Sequence, residues 1–339
     1  FQAEVGIRDY KVTGVQTCAL PICNDVLKGL AGADSISGDS GDDTLEGGTG
    51  SDTMTGGSGT DTYNYENENQ GVGVTINFNA LAGTYVGKIS ADTDLLENPE
   101  NIIGTQFADN ITGTSENNVI EGRGGNDTID GAEGDDTIRG EAGADQLNGN
   151  VGDDVIDGGS GADTLEGTDG ADSLVGGSGA DSILGGDGDD TLVGDEGLDT
   201  LEGNGGTNTV SYEDVTQNGV NVDLSQSQTF EDGYSTTDVL SNIQNVIGSN
   251  LGDSIVGDNA ANLILGLDGN DTIDAGDGAN TVDGGLDDDS ILGGADADSL
   301  SGGDGNDTID GGAGDDTIFG DNGADSLVGS AGKIGRAHV

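Results

Sequence analysis

Aspartate returns at every ninth residue over long stretches of this chain. Nine stand in unbroken succession as Asp127, Asp136, Asp145, Asp154, Asp163, Asp172, Asp181, Asp190 and Asp199. The same spacing holds for Asp34, Asp43, Asp52 and Asp61, and again, with Asn280 standing between the first two, for Asp271, Asp289, Asp298, Asp307, Asp316 and Asp325. Carboxylates in such numbers suit either acid–base work in pairs or ligation of a hard cation. The Gly-Asp-Asp triplets (Gly41-Asp42-Asp43, Gly188-Asp189-Asp190) have the look of metal-dependent catalytic pairs, but they recur at the repeat period, which favours a structural ligand. They do not make EF-hands: in Asp-Gly-Asn-Asp-Thr-Ile-Asp (304–310) the fifth loop position is Thr308, and no Glu closes a twelve-residue loop. Nucleophilic triads lack their partners, because Cys18, Cys23 and His338 all lie at the extreme ends.

The aspartates belong to nonamers. Four run from Gly29 to Asn64, twelve from Gly104 to Ser211, and nine from Gly248 to Val328. Across these 25 units the first residue is Gly in 24, the fourth is Gly in 19, and the sixth is Asp in 21 and Asn in four (Asn118, Asn208, Asn262, Asn280). The eighth is apolar in every one, from Ile36 to Leu327. One apolar residue between small or polar neighbours reads as a three-residue strand with a single inward side chain. The six residues before it read as a turn, with Gly where positive φ or close backbone approach is needed. So short a strand cannot bury its apolar face alone, whereas stacked copies make a continuous ladder. Two nonamers per coil, strand–turn–strand–turn, give a flattened parallel β-helix. Stacking also sets each position-6 carboxylate beside its counterparts, where their charges repel. A divalent cation relieves that, and Ca²⁺ fits best because it accepts six to eight carboxylate and carbonyl oxygens in flexible geometry.

With its unit Gly-Gly-x-Gly-x-Asp-x-(apolar)-x, as in Gly158–Glu166 and Gly302–Asp310, the chain resembles the repeats-in-toxin (RTX) family of calcium-binding nonapeptide repeats. The resemblance implies an all-β, right-handed parallel β-roll, with each ion held between successive turns on one edge by the position-6 Asp and turn carbonyls. Carried onto this sequence, the strongest turns pair Gly at position 4 with the aspartates named above other than Asp289 and Asp298. Asp289 and Asp298, whose turns carry Asp287 and Asp296 at position 4, are intermediate. The first two units of the second and third blocks carry Phe107, Glu116, Leu251 and Ala260 there, and are expected to bind weakly or not at all.

Composition points the same way. The chain has 339 residues, 67 of them Gly, with 66 acidic and 8 basic residues, a net charge of −58, 3% aromatics and no Trp. Such a chain buries too little apolar surface to offset its conformational entropy, so it is either disordered or completed by something that supplies free energy and positive charge. A nucleic-acid partner is excluded by charge, and no apolar run approaches the ~18 residues of a membrane span.

Seven segments are expected. Residues 23–64, 104–211 and 248–332 are roll blocks, and residues 65–103 and 212–247 are irregular β segments that resemble each other (Val74/Ile76/Phe78 beside Val220/Val222/Leu224). These two read as larger rungs of the same solenoid in preference to a recognition module. Residues 1–22 and 333–339 read as non-native, since Val12–Ile22 is what a common sequencing-library adapter encodes and Lys333–Val339 is that adapter in the opposite sense. The natural protein is therefore expected to be longer in both directions. The RTX resemblance implies a calcium-dependent folding module of a larger secreted bacterial protein, at the cell surface or outside the cell and exported by a type I secretion apparatus. A rigid adhesin region, or the appendage of a protease, lipase or toxin whose catalytic domain lies elsewhere, is the alternative. No catalytic residue is assigned within the chain.

Overall fold

In this computed structural model the described residues are 17–18, 24–67, 74–77, 85–89, 94–97, 100–226 and 228–329. They form an all-β parallel solenoid with no α-helix, only a 3-10 turn at Leu224–Gln226. The contacts divide the chain into two compact units, residues 1–172 and 173–339. That division falls inside the run of twelve nonamers and gives each unit one irregular segment flanked by regular turns.

Within each unit consecutive nonamers alternate between two parallel sheets. In the first unit Ile129 pairs with Leu147 in one sheet and Ile138 with Ile156 in the other. In the second, Ile183 pairs with Leu201 and Leu174 with Leu192. Each pairing spans eighteen residues, which is two nonamers per rung. The three-residue strands expected from the sequence occur (Thr272–Asp274), but others run to six, as at Thr128–Glu133, by adding positions 1 to 3 of the next nonamer.

The position-8 side chains are the core. Leu27, Ile138, Leu174 and Ile255 are at most 2% exposed, and only Leu327 at the described end is half-buried. Burial continues on either side of position 8, since positions 6 and 1 also point inward, as at Asp127, Ile129 and Gly131. Each strand thus carries three inward positions in alternation, not one: a carboxylate, an aliphatic side chain and a glycine.

Both irregular segments have the same topology. In the first unit Thr53–Ser58 pairs in parallel with Asp94–Glu97, which pairs antiparallel with Tyr85–Ile89. That strand pairs antiparallel with Val74–Asn77, which returns to parallel pairing with Asn110–Thr112. The opposite sheet passes straight through, with Tyr63 paired to Ile102. In the second unit the order is Thr200–Gly205, Val239–Ser241, Gln228–Glu231, Asn221–Asp223, Ser254–Val256, and Val210 pairs directly with Val246 on the other sheet. Each segment therefore continues the solenoid while adding an antiparallel pair of strands to one sheet alone. Ile76 and Val222 are fully buried and Val220 is 2% exposed. The Val74 side chain and Phe78, expected to alternate with Ile76, lie outside the described residues, as do nearly all of the terminal stretches 1–22 and 333–339.

Candidate metal sites

The position-6 residues form rows one rung apart. There are two rows in each unit, one entering each sheet, where the resemblance implied a single edge. In each row a backbone amide donates to Oδ1 of the aspartate one rung along. In the first unit Asp34 donates to Asp52 at 2.8 Å, Asp43 to Asp61 at 2.9 Å, Asp127 to Asp145 at 2.7 Å and Asp136 to Asp154 at 2.7 Å. Asp163 and Asp172 accept from Asp145 and Asp154. In the second unit Asp181 donates to Asp199, Asp190 to Asn208, Asp271 to Asp289, Asp289 to Asp307 and Asp298 to Asp316. Asp325, half-buried at the end of the described chain, accepts from Asp307 at 3.2 Å. All nineteen aspartates singled out from the sequence stand in these rows.

One carboxylate oxygen is therefore committed to the backbone. The other is not. Oδ2 of Asp43, Asp61, Asp127, Asp136, Asp145 and Asp154 in the first unit is buried with no hydrogen-bond donor. So is Oδ2 of Asp199, Asp271, Asp289, Asp298, Asp307 and Asp316 in the second. A buried polar atom left unmatched costs on the order of 1–3 kcal/mol, more when it is charged.

Oδ2 lies against the glycine at position 1 of its own nonamer. A β-carbon on Gly140 would come 2.4 Å from Asp145 Oδ2 and 2.7 Å from the Gly158 carbonyl oxygen of the next rung. On Gly284 it would come 2.3 Å from Asp289 Oδ2 and 2.7 Å from the Gly302 carbonyl oxygen. These glycines have no positive φ; they are required because carboxylate and carbonyl oxygens converge where a side chain would begin. Position 4 needs glycine for both reasons: Gly143 has φ +158°, and its β-carbon would run into the Gly125 carbonyl oxygen. Position 2 also takes positive φ, without glycine, at Arg123, Ala132 and Glu141, which the sequence pattern does not reveal.

The Asn turns report what Oδ2 faces. Asn280 Nδ2 points at three carbonyl oxygens, those of Gly276, Asp277 and Gly293, each at 3.4 Å. Asn208 Nδ2 points at the Gly205 and Asn242 carbonyls at 3.3 and 3.1 Å. In an Asp turn an oxygen replaces that amide nitrogen, so oxygen faces oxygen with no hydrogen between. The only nonamer without glycine at position 1, beginning at Ala275, is also the Asn280 nonamer. Among the described residues no three His, Cys, Asp or Glu side chains cluster around one point. The donor set is one or two carboxylates with several carbonyls, which suits a hard cation of high coordination number, Ca²⁺, better than a transition metal.

Electrostatics agree, for a different first cause from the one expected. Burial pushes Asp43 and Asp145 up to about 6, Asp127, Asp136, Asp199 and Asp289 to about 7, and Asp271 to about 8, from an ordinary 3.8. The backbone hydrogen bond pulls the other way, and repulsion from neighbouring aspartates is smaller still. Desolvation, more than mutual repulsion, is what a cation must offset.

The RTX calcium-binding nonapeptide repeat profile matches residues 24–54, 37–69, 103–138, 130–165, 166–201, 184–214, 247–282, 256–291, 275–309 and 301–333, well over half of the chain. The chain belongs to this family. No curated protein matches it. Among solved structures, a hyperactive, Ca²⁺-dependent, β-helical antifreeze protein from an Antarctic bacterium is similar at 15% identity, covering 96% of this chain and 85% of that one, with a TM-score of 0.21.

Sequence reading missed one member of an RTX row. Asp238 lies in the second irregular segment, 1% exposed, and its Oδ1 accepts the Asp199 amide at 3.0 Å. Burial, then Asp199 and Asp232, push it up to about 8. The signal was present as Asp238-Val239-Leu240-Ser241, the end of a nonamer, hidden because no Gly-rich turn precedes it. At the equivalent bends Glu100 and Gln244 accept the Asp61 and Asn208 amides at 2.9 and 2.8 Å.

Proposed function

We propose that this chain is a calcium-dependent folding module of a larger bacterial protein that acts outside the cell or at its surface, reached through a type I secretion apparatus. The twelve buried Oδ2 atoms named above carry this reading. Each faces backbone carbonyls across a gap that a divalent cation closes, with Oδ2, the position-1 carbonyl of the next rung and the position-2 and position-3 carbonyls of its own turn as ligands. The aspartates proposed to hold Ca²⁺ are those named from the sequence, with Asp238 added.

Because the donors converge only when turns are stacked, ion binding adds directly to folding free energy. Extracellular calcium modules typically have Kd values of about 10⁻⁴–10⁻³ M, far above cytosolic free Ca²⁺. The chain is then open before export and ordered after it. The rows have a structural part in this reading, and no residue has a catalytic one. Among the described residues no helix is long and apolar enough to cross a membrane.

Far-UV circular dichroism of the full chain during Ca²⁺ titration, with Mg²⁺ in parallel, tests it. A cooperative gain of β signal near millimolar Ca²⁺ and a weak response to Mg²⁺, which holds its water and demands octahedral geometry, is the expected result. Full β structure at neutral pH in chelator, or equal responses to both ions, refutes it.

A further inference from the structure

In four turns the position-2 amide donates to the position-6 side chain of its own nonamer, and these are the first two nonamers after each irregular segment. At the start of the second block the Thr105 amide donates to Asp109 Oδ2 at 2.7 Å and its hydroxyl to Asp109 Oδ1 at 2.9 Å. At the start of the third, the Ser249 amide and hydroxyl donate to the two oxygens of Asp253, each at 2.7 Å. One nonamer on, the Thr114 amide donates to Asn118 Oδ1 at 2.7 Å and the Asp258 amide to Asn262 Oδ1 at 3.0 Å. The Asp109 and Asp253 carboxylates thus have a protein donor on each oxygen.

The backbone path explains the difference. These turns lack glycine at position 4, and none of Thr105, Phe107, Thr114, Glu116, Ser249 or Leu251 takes positive φ. With the left-handed residues gone, the position-2 amide turns inward onto the carboxylate, where regular turns present carbonyls. The hydroxyl is used twice, because Thr105 Oγ1 also accepts the Phe107 amide at 3.0 Å and Ser249 Oγ the Leu251 amide at 3.2 Å. The next turn of each pair carries a neutral amide in place of the acid, with Asn118 Nδ2 donating to the Glu100 carbonyl at 3.0 Å and Asn262 Nδ2 to the Gln244 carbonyl at 2.7 Å.

We propose that the Thr105–Asp109 and Ser249–Asp253 turns, with the Asn118 and Asn262 turns behind them, are calcium-free rungs in which a hydroxyl–amide clamp stands where the cation sits elsewhere. They give each irregular segment a metal-independent attachment to the nonamers that follow it. The inference rests on the calcium reading of the other turns and deepens it, since it separates binding from non-binding rungs by the donors each supplies.

Counting bound ions on the full chain by native mass spectrometry at saturating Ca²⁺ tests the assignment. Asp109→Asn and Asp253→Asn are expected to leave the count unchanged, whereas Asp127→Asn and Asp271→Asn each lower it by at least one. The reverse change, Thr105→Gly with Phe107→Gly, restores the nonamer pattern and is expected to add one ion. An ion lost from either Asp109→Asn or Asp253→Asn overturns the clamp, as does a count no higher than wild type in the double glycine variant. Should Asp109→Asn not fold, Asp253→Asn gives the same reading at the second clamp. A wild-type chain that takes up no calcium defeats the calcium reading itself, an outcome distinct from a calcium-binding wild type whose clamp variants lose ions.

Discussion

Asp288 and Asp289 are neighbours in sequence whose carboxylates sit on opposite sides of one turn. Asp289 is 3% exposed and accepts the Asp271 amide at 2.8 Å, from the rung before it. Asp288 is exposed and accepts the Asn306 amide and Nδ2 at 2.7 and 2.9 Å, from the rung after it. Two hydrogen-bond ladders of opposite direction thus run side by side. The Asn306 bonds hold Asp288 below the usual carboxylate range while burial pushes Asp289 to about 7. Asp288→Asn is expected to leave ion count and calcium midpoint unchanged, and Asp289→Asn to remove at least one ion and raise the midpoint. Calcium-titrated circular dichroism with native mass spectrometry reads both.

Replacing a row aspartate by asparagine separates its two jobs. Asp145→Asn keeps an Oδ1 for the Asp127 amide and, as Asn280 shows, offers an Nδ2 to the carbonyls that Oδ2 faces. The variant is therefore expected to be more ordered than wild type in chelator and less responsive to Ca²⁺. Asp145→Ala loses both the amide's acceptor and the ligand, and is expected to be weakened in either condition by about 1–3 kcal/mol. Urea melts with and without calcium distinguish the two.

The raised carboxyls make the metal-free chain acid-sensitive in an unusual direction. A group whose value is raised on folding stabilises the fold fully below its unfolded value and loses that contribution as pH rises through the folded one. With 3.8 moved to about 6 for Asp43, 7 for Asp127 and 8 for Asp271, protons substitute for cations below about pH 4 and are lost between pH 6 and 8. The chain in chelator is expected to gain β structure on acidification from pH 8 to pH 4. Because protons and Ca²⁺ stabilise the same folded state, the calcium midpoint for folding is expected to rise from pH 6 to pH 8. Circular dichroism across pH, with and without chelator, checks both slopes.

Two glycine substitutions fail for different reasons. Gly140→Ala puts a methyl 2.4 Å from Asp145 Oδ2 at an ordinary φ, so it blocks one site and is expected to remove an ion while the stack persists. Gly143→Ala places that methyl against the Gly125 carbonyl at φ +158°, which no side-chain movement relieves, so the rung itself is expected to open. Ion counting and hydrogen exchange separate the two.

In the core, Ile156→Ala removes a fully buried side chain that is paired in register with Ile138 one rung away. The expected loss is about 2–5 kcal/mol in the calcium-loaded state, seen as a lower thermal midpoint at fixed calcium.

The nonamer alone determined the fold and the candidate ligands. A period of nine with an apolar eighth residue leaves only one arrangement in which Ile138 and Ile156 are both buried, and that arrangement puts every position-6 carboxylate in a row. The family resemblance rested on the same residues. Three things were decided only by the folded chain, because they depend on what surrounds a residue and not on which residue it is. Asp127 and Asp109 occupy the same repeat position, yet one has an oxygen without a donor and the other is clamped by Thr105; local φ sets which way the position-2 amide faces. Asp238 entered a row through an antiparallel excursion that no period announces. Burial, a property of the stacked rungs, made desolvation the leading cost of the aspartate rows, although their spacing in the sequence suggested repulsion.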